Sequence, residues 1–136
     1  MGLIYLDSVA VIYSMERFPA HWPRIRPLWE QSSRGEVVLT SSELTLHEAL
    51  VGPLKHGNQA LAADYEKLLT KTDVRLLPVS LPVLRLAAWL RVDAKLKTPD
   101  AIHAATALLA GCEAFITNDA DFERVAKLPV RLISKM

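Results

Sequence analysis

The chain alternates between two hydrophobic periods, and that alternation restricts its fold more than any other feature. Five short apolar runs, "LIYL" (3–6), "EVVLTS" (36–41), "VRLLPV" (74–79), "AFITN" (114–118) and "VRLI" (130–133), punctuate stretches whose apolar residues recur at helical spacing. Short runs without polar alternation read as strands buried on both faces. "SVAVIYSM" follows the first run as a helix. "HWPRIRPLWEQSSRG" puts Trp22, Ile25, Leu28 and Trp29 at helical spacing, and "SELTLHEALVG" reads as a helix ended by Gly52-Pro53. In "NQALAADYEKLLTKT", Leu61, Tyr65, Leu68 and Leu69 share a face. A further helix runs from Pro82 through Val83, Leu84, Ala87, Leu90 and Ala94, another begins at Thr98-Pro99 and stops at Gly111, and "DADFERVA" is a short one. Buried strands separated by helices require a parallel sheet covered on both sides. The predicted fold is a three-layer α/β/α sandwich with a mainly parallel sheet of about five strands, in a single domain spanning 1–136.

Composition narrows the function classes. Hydrophobic residues make up 51% and charged residues 23%, as in globular proteins. Sixteen Lys and Arg against fifteen Asp and Glu leave a net charge of +1, so a polyanion has to be held by a local patch or through cations. Candidate patches are Arg85, Arg91, Lys95 and Lys97, with Arg91 and Lys95 one helical turn apart, the pair Arg24 and Arg26, and Lys55 with His56. The lone Cys112 excludes an intrachain disulfide and a four-cysteine zinc site, and reads as a packed residue at a helix end. Apolar runs too short for a bilayer, with no charged leader, predict no signal peptide or membrane span and a cytoplasmic location.

In parallel sheets ligands gather outside the carboxyl ends of the strands, and there this sequence puts acids. Asp7 closes the first strand and Asp119 the fourth, with Asp121 two residues on. Asp100 opens its helix at "TPDA", and Glu48 lies about two turns into the helix after "VVLTS". Singly, each has an ordinary explanation: Asp7 and Asp119 as helix caps, Asp100 as a first-turn acid, Glu48 as a solvated helix residue. Jointly, if strands one and four are neighbours, they form a carboxylate cluster whose repulsion a cation relieves. All-oxygen donors suit Mg²⁺ or Mn²⁺. His47 and His103 form no metal motif and read as helix-surface or packed residues, and Trp22, Ile25 and Trp29 as core.

The segments "IYLDSVAVIY", "TSSELTLHEAL" and "LKTPDAIHAATALLAGCEAFITNDADF" resemble, in order and spacing, the motifs of PIN-domain ribonucleases, most closely the toxins of VapBC-type toxin–antitoxin pairs. The resemblance spans nearly the whole chain, and "TPDAIHAATAL" followed by "FITNDADF" is its most specific part. It implies a homodimer, a divalent-metal site and RNA cleavage relieved by a cognate antitoxin. Carried over by position, the acids are Asp7, Glu48, Asp100 and Asp119, with Asp121 either serving a second ion through water or stabilising the short helix. Ser8 follows the first acid, while Thr117 and Asn118 precede the fourth and are expected to orient it. Glu43 competes with Glu48, but the two lie about 500° apart around a helix, and the motif favours Glu48.

The implied reaction is hydrolysis of an RNA phosphodiester by a water activated at the cation. Other phosphoryl-transfer readings fail on residues. A haloacid-dehalogenase-type phosphatase needs a second aspartate where Val9 stands, and a response-regulator receiver needs an acid pair beside its strand. Two alternatives remain: a non-catalytic module binding RNA or a partner, and a housekeeping structure-specific nuclease.

Overall fold

The strands are few and short, and their order sets the whole molecule. In the computed structural model, which describes residues 2–136, the chain runs β1 (Gly2–Leu6), α1 (Ser8–Met15), α2 (Trp22–Ser33), β2 (Val37–Ser42), α3 (Glu43–Lys55) and α4 (Gln59–Thr70). It continues through β3 (Arg75–Leu77), α5 (Leu81–Asp93), α6 (Thr98–Ala110), β4 (Ala114–Thr117), a 3-10 turn (Ala120–Arg124), β5 (Val130–Leu132) and a last 3-10 turn (Ile133–Lys135). All four strand pairings are parallel, in the order β3-β2-β1-β4-β5. This is the expected three-layer α/β/α sandwich.

Two apolar cores sit on opposite faces of the sheet, and strand alternation divides the residues between them. Tyr5 and Phe115 point toward α5 and α6, where they join Val83, Ala87, Leu90, Ala101, Ala104 and Ala105. Ile4, Leu6, Leu39 and Ile116 point the other way, against Val11, Ile25, Leu28, Tyr65 and Leu69 from α1, α2 and α4. A strand with both faces covered has no polar side to show, which is why these runs lack alternation. Each fully buried Leu, Ile or Phe contributes roughly 1.5–3 kcal/mol of transfer free energy. As expected, Ile25 is core; Trp29 is only partly buried and donates Nε1–H to Ser14 Oγ at 2.9 Å.

Several local expectations change. α3 does not stop at Gly52-Pro53 but continues to Lys55. The ring of a proline meets both the N–H and the Cβ of the residue before it; Gly52 has no Cβ, which removes one of those clashes, and the helix passes through and ends one turn later. Arg91 and Lys95 do not share a helix face, because α5 ends at Asp93 and Lys95 takes a positive φ of 56°. α6 does begin at Thr98, but Lys97 is the residue before its first turn and no side chain caps that end. Arg24 donates Nη1–H to the carbonyls of Ser134 and Met136, at 2.7 and 3.0 Å, and Arg26 pairs with Glu30 at 3.7 Å. The α2 pair thus serves the fold. Cys112 is buried directly after α6, as expected, and burial pushes its thiol up to about 11. Among the described residues no helix is long and apolar enough to cross a membrane.

Candidate metal centre

β1 pairs with β2 on one side and β4 on the other. The connection from β1 leads to one half of the sheet and the connection from β3 returns to the other. Such a reversal opens a crevice at the carboxyl ends of the two central strands. Leu6 is in register with Ile116, and the Asp7 amide donates to the Ile116 carbonyl at 3.2 Å, so Asp7 and Thr117 leave the sheet side by side. Asp119 follows two residues later.

Asp100 reaches the same edge by a different route. α6 ends only a few residues before β4 begins, so its last turn lies at the amino edge of the sheet. Thirteen helical residues rise about 20 Å, which carries its first turn, and Asp100, back to the carboxyl edge. Glu48 arrives on α3, which starts directly from β2.

The electrostatics report the gathering. Asp7 is 5% exposed, and burial lifts its carboxyl from 3.8 to about 6. A Thr117 hydrogen bond, the Ala10 amide and His103 oppose that lift, while Asp100 adds to it. Asp100 is also raised, first by burial and then by the charges of Asp119 and Glu48, against His103 and Lys97. Asp7, Glu48, Asp100 and Asp119 therefore share one neighbourhood.

Backbone donors aim two of the four. Asp7 Oδ1 accepts from the Ala10 amide at 2.9 Å and caps α1; Asp119 Oδ1 accepts from the Asp121 amide at 2.9 Å. The capping explanation and the cluster explanation hold for the same side chains. Thr117 Oγ1 accepts from the Asp119 amide at 3.1 Å, which orients that residue as expected. Asn118 does not: its Oδ1 accepts from the Ser134 amide at 3.2 Å, tying it to the C-terminal turn. Ser8 occupies the first position of α1, next to Asp7. The exposed Asp121 carboxylate lies 3.5 Å from Arg124. The competing acid, Glu43, accepts from the Val79 amide at 3.1 Å and so serves the loop after β3.

His103 is the residue the sequence undervalued. It is 2% exposed, its Nε2 is 2.6 Å from Glu48 Oε1 and its Nδ1 is 2.7 Å from the Tyr5 hydroxyl. Its spacing of three from Asp100 on one helix was the available signal. His47 is exposed on α3.

Among the described residues no three His, Cys, Asp or Glu side chains are closed into a metal cage. By donor chemistry the four acids still fit a hard divalent cation: all oxygen, and two of them raised by burial and mutual charge.

The sequence matches the PIN domain family over residues 4–128. No curated protein matches it. Among solved structures, VapBC2 from Rickettsia felis bound to a DNA fragment from the promoter is similar, with a TM-score of 0.77 at 15% identity, covering 96% of this chain and 98% of that one. FitAcB from Neisseria gonorrhoeae gives 0.73 at 23% identity, covering 98% and 99%. A toxin-antitoxin complex from Klebsiella pneumoniae gives 0.69 at 22% identity, covering 98% and 99%. At these identities the likeness is one of fold.

Proposed function

Because this chain belongs to the PIN domain family, we propose that it is a divalent-metal-dependent endoribonuclease, the toxin of a toxin–antitoxin pair. The observation that carries this reading is the gathering of Asp7, Glu48, Asp100 and Asp119 at the β1/β4 crevice, with Asp7 and Asp100 raised by burial and neighbouring charge. The similarity to proteins described as toxin-antitoxin complexes supports an antitoxin partner.

Asp7, Glu48, Asp100 and Asp119 are the carboxylates that would hold Mg²⁺ or Mn²⁺, with Asp121 at the margin. A cation there supplies Lewis acidity for attack of water on phosphorus and offsets phosphate charge. The chain's own residues do the rest. Ala10 and Asp121 backbone amides fix the direction of two carboxylates, and Thr117 holds the Asp119 backbone. Lys97, whose charge reaches Asp100, would offer a positive partner to an RNA phosphate approaching the acids. Association into a homodimer belongs to the same reading, supported by α5, which leaves Trp89 70% and Val92 75% exposed; sedimentation equilibrium tests it.

The deciding experiment is cleavage of a total-RNA pool by purified protein with Mg²⁺ or Mn²⁺, with EDTA, and with Asp7→Asn. Cleavage that needs the metal and Asp7 is the expected result. A well-folded, antitoxin-free protein that cuts nothing with either metal would instead favour a binding module.

A further inference from the structure

The ligand set proposed above explains three carboxylates by their backbone anchors or helix starts, but not why Glu48 faces the crevice. Glu48 is a mid-helix residue on a flexible stem, with 27% of its side chain exposed. Such a side chain has several rotamers available, and choosing one costs entropy unless something holds it.

The hold comes from a buried chain of hydrogen bonds across three elements. Tyr5 in β1 is fully buried, stacked on Phe115 with ring centroids 5.1 Å apart at 4°. Its hydroxyl meets His103 Nδ1 at 2.7 Å, the two rings lying edge-on at 5.9 Å and 69°. On its far side, His103 Nε2 meets Glu48 Oε1 at 2.6 Å. Donor accounting orders the protons. An ionised carboxylate only accepts, so Nε2 carries hydrogen and donates to Glu48. Nδ1 pairs with the Tyr5 hydroxyl, which can either donate to it or accept from it. The chain links Tyr5 through His103 to Glu48 and engages one carboxylate oxygen, Oε1, leaving the other free of it. Stacking on Phe115 fixes the Tyr5 ring, and burial in α6 fixes His103.

We propose that Tyr5 and His103 are positioning residues, a buried relay that aims the Glu48 carboxylate at the metal centre. The inference rests on the nuclease reading given above. Outer hydrogen bonds to ligating groups typically control metal affinity or activity by about 10–100-fold.

The test uses the full-length chain, Mn²⁺ titration calorimetry and RNA cleavage kinetics. His103→Leu should weaken Mn²⁺ binding about 10–100-fold and lower kcat, with KM for RNA little changed. His103→Gln, whose side-chain amide can reach toward Glu48 in place of Nε2–H, should recover much of the loss. Tyr5→Phe keeps the stack and deletes only the hydroxyl; it should weaken binding by a smaller factor and decides the matter if His103→Leu fails to fold. In a Glu48→Gln background, His103→Leu should cost nothing further, which a merely structural role does not predict. Long-range proton–nitrogen NMR of the wild type should show a proton on His103 Nε2 without any metal. A folded His103→Leu or Tyr5→Phe that binds Mn²⁺ as well as wild type, or better, overturns the relay and leaves the nuclease reading standing. A wild type that neither binds Mn²⁺ nor cleaves RNA overturns both, even if Nε2 carries its proton.

Discussion

A carboxyl group enclosed as Asp7 is ionises at a cost, and the direction of that cost is testable. Its folded value of about 6 lies above the ordinary 3.8. Between those values the native state keeps a proton that the unfolded chain has released, so stability falls as pH rises. For the metal-free protein we expect the loss to run from about pH 4 to about pH 6 and to reach about 3 kcal/mol, with Asp100 adding in the same direction. Urea unfolding across that range checks it. Asp7→Asn keeps an oxygen for the Ala10 amide and removes the charge. It should therefore make the metal-free protein more stable at neutral pH, by up to about 3 kcal/mol, while abolishing cleavage. A destabilised Asn variant would mean that the ionised carboxylate contributes more to the fold than burial takes away.

Element ends show where local chemistry rules. Gly111 closes α6 with φ at 68°, its amide bonding to the Ala107 and Leu108 carbonyls, while the Cys112 amide bonds to Ala107 at 3.1 Å. This doubly bonded left-handed stop favours glycine. A Cβ at Gly111 meets nothing within 4 Å, so the backbone alone sets the penalty of a substitution. Gly111→Ala should cost about 1 kcal/mol, read as a lower denaturation midpoint at an unchanged slope. Gly111→Asn should cost less. The same α6 carries Asp100 and His103 at its other end, so its length sets how far those groups stand from β4.

For the whole molecule, the functional prediction concerns how metal couples to folding. A cation that binds only the native acids at a hundred times its Kd stabilises by about 2.7 kcal/mol, a rise in melting temperature on the order of 10 °C for a chain of this size. Mn²⁺ should raise the Tm of the wild type and raise that of Asp7→Asn or Glu48→Gln much less, measured by calorimetry without any RNA. Equal shifts in all three would mean that the ion binds elsewhere.

Local sequence was enough for the strands and nearly all the helices, because burial on two faces writes itself as apolar runs and helix starts as Asp, Ser and Pro. Even α1, built on β-branched Val9, Val11 and Ile12, starts directly behind its Asp7 cap. The Gly52-Pro53 ending was misread because a pair of helix breakers looks like a stop, whereas glycine before proline relieves part of the clash that makes it one. Asn118 was misread because adjacency along the chain says nothing about which way a side chain turns. Only the tertiary arrangement decided that β1 and β4 are neighbours, that Glu48 rather than Glu43 faces His103, and that Tyr5, 98 residues from His103, reaches it. Those are contacts between distant segments, set by how two apolar faces pack against one sheet, and no local pattern encodes them.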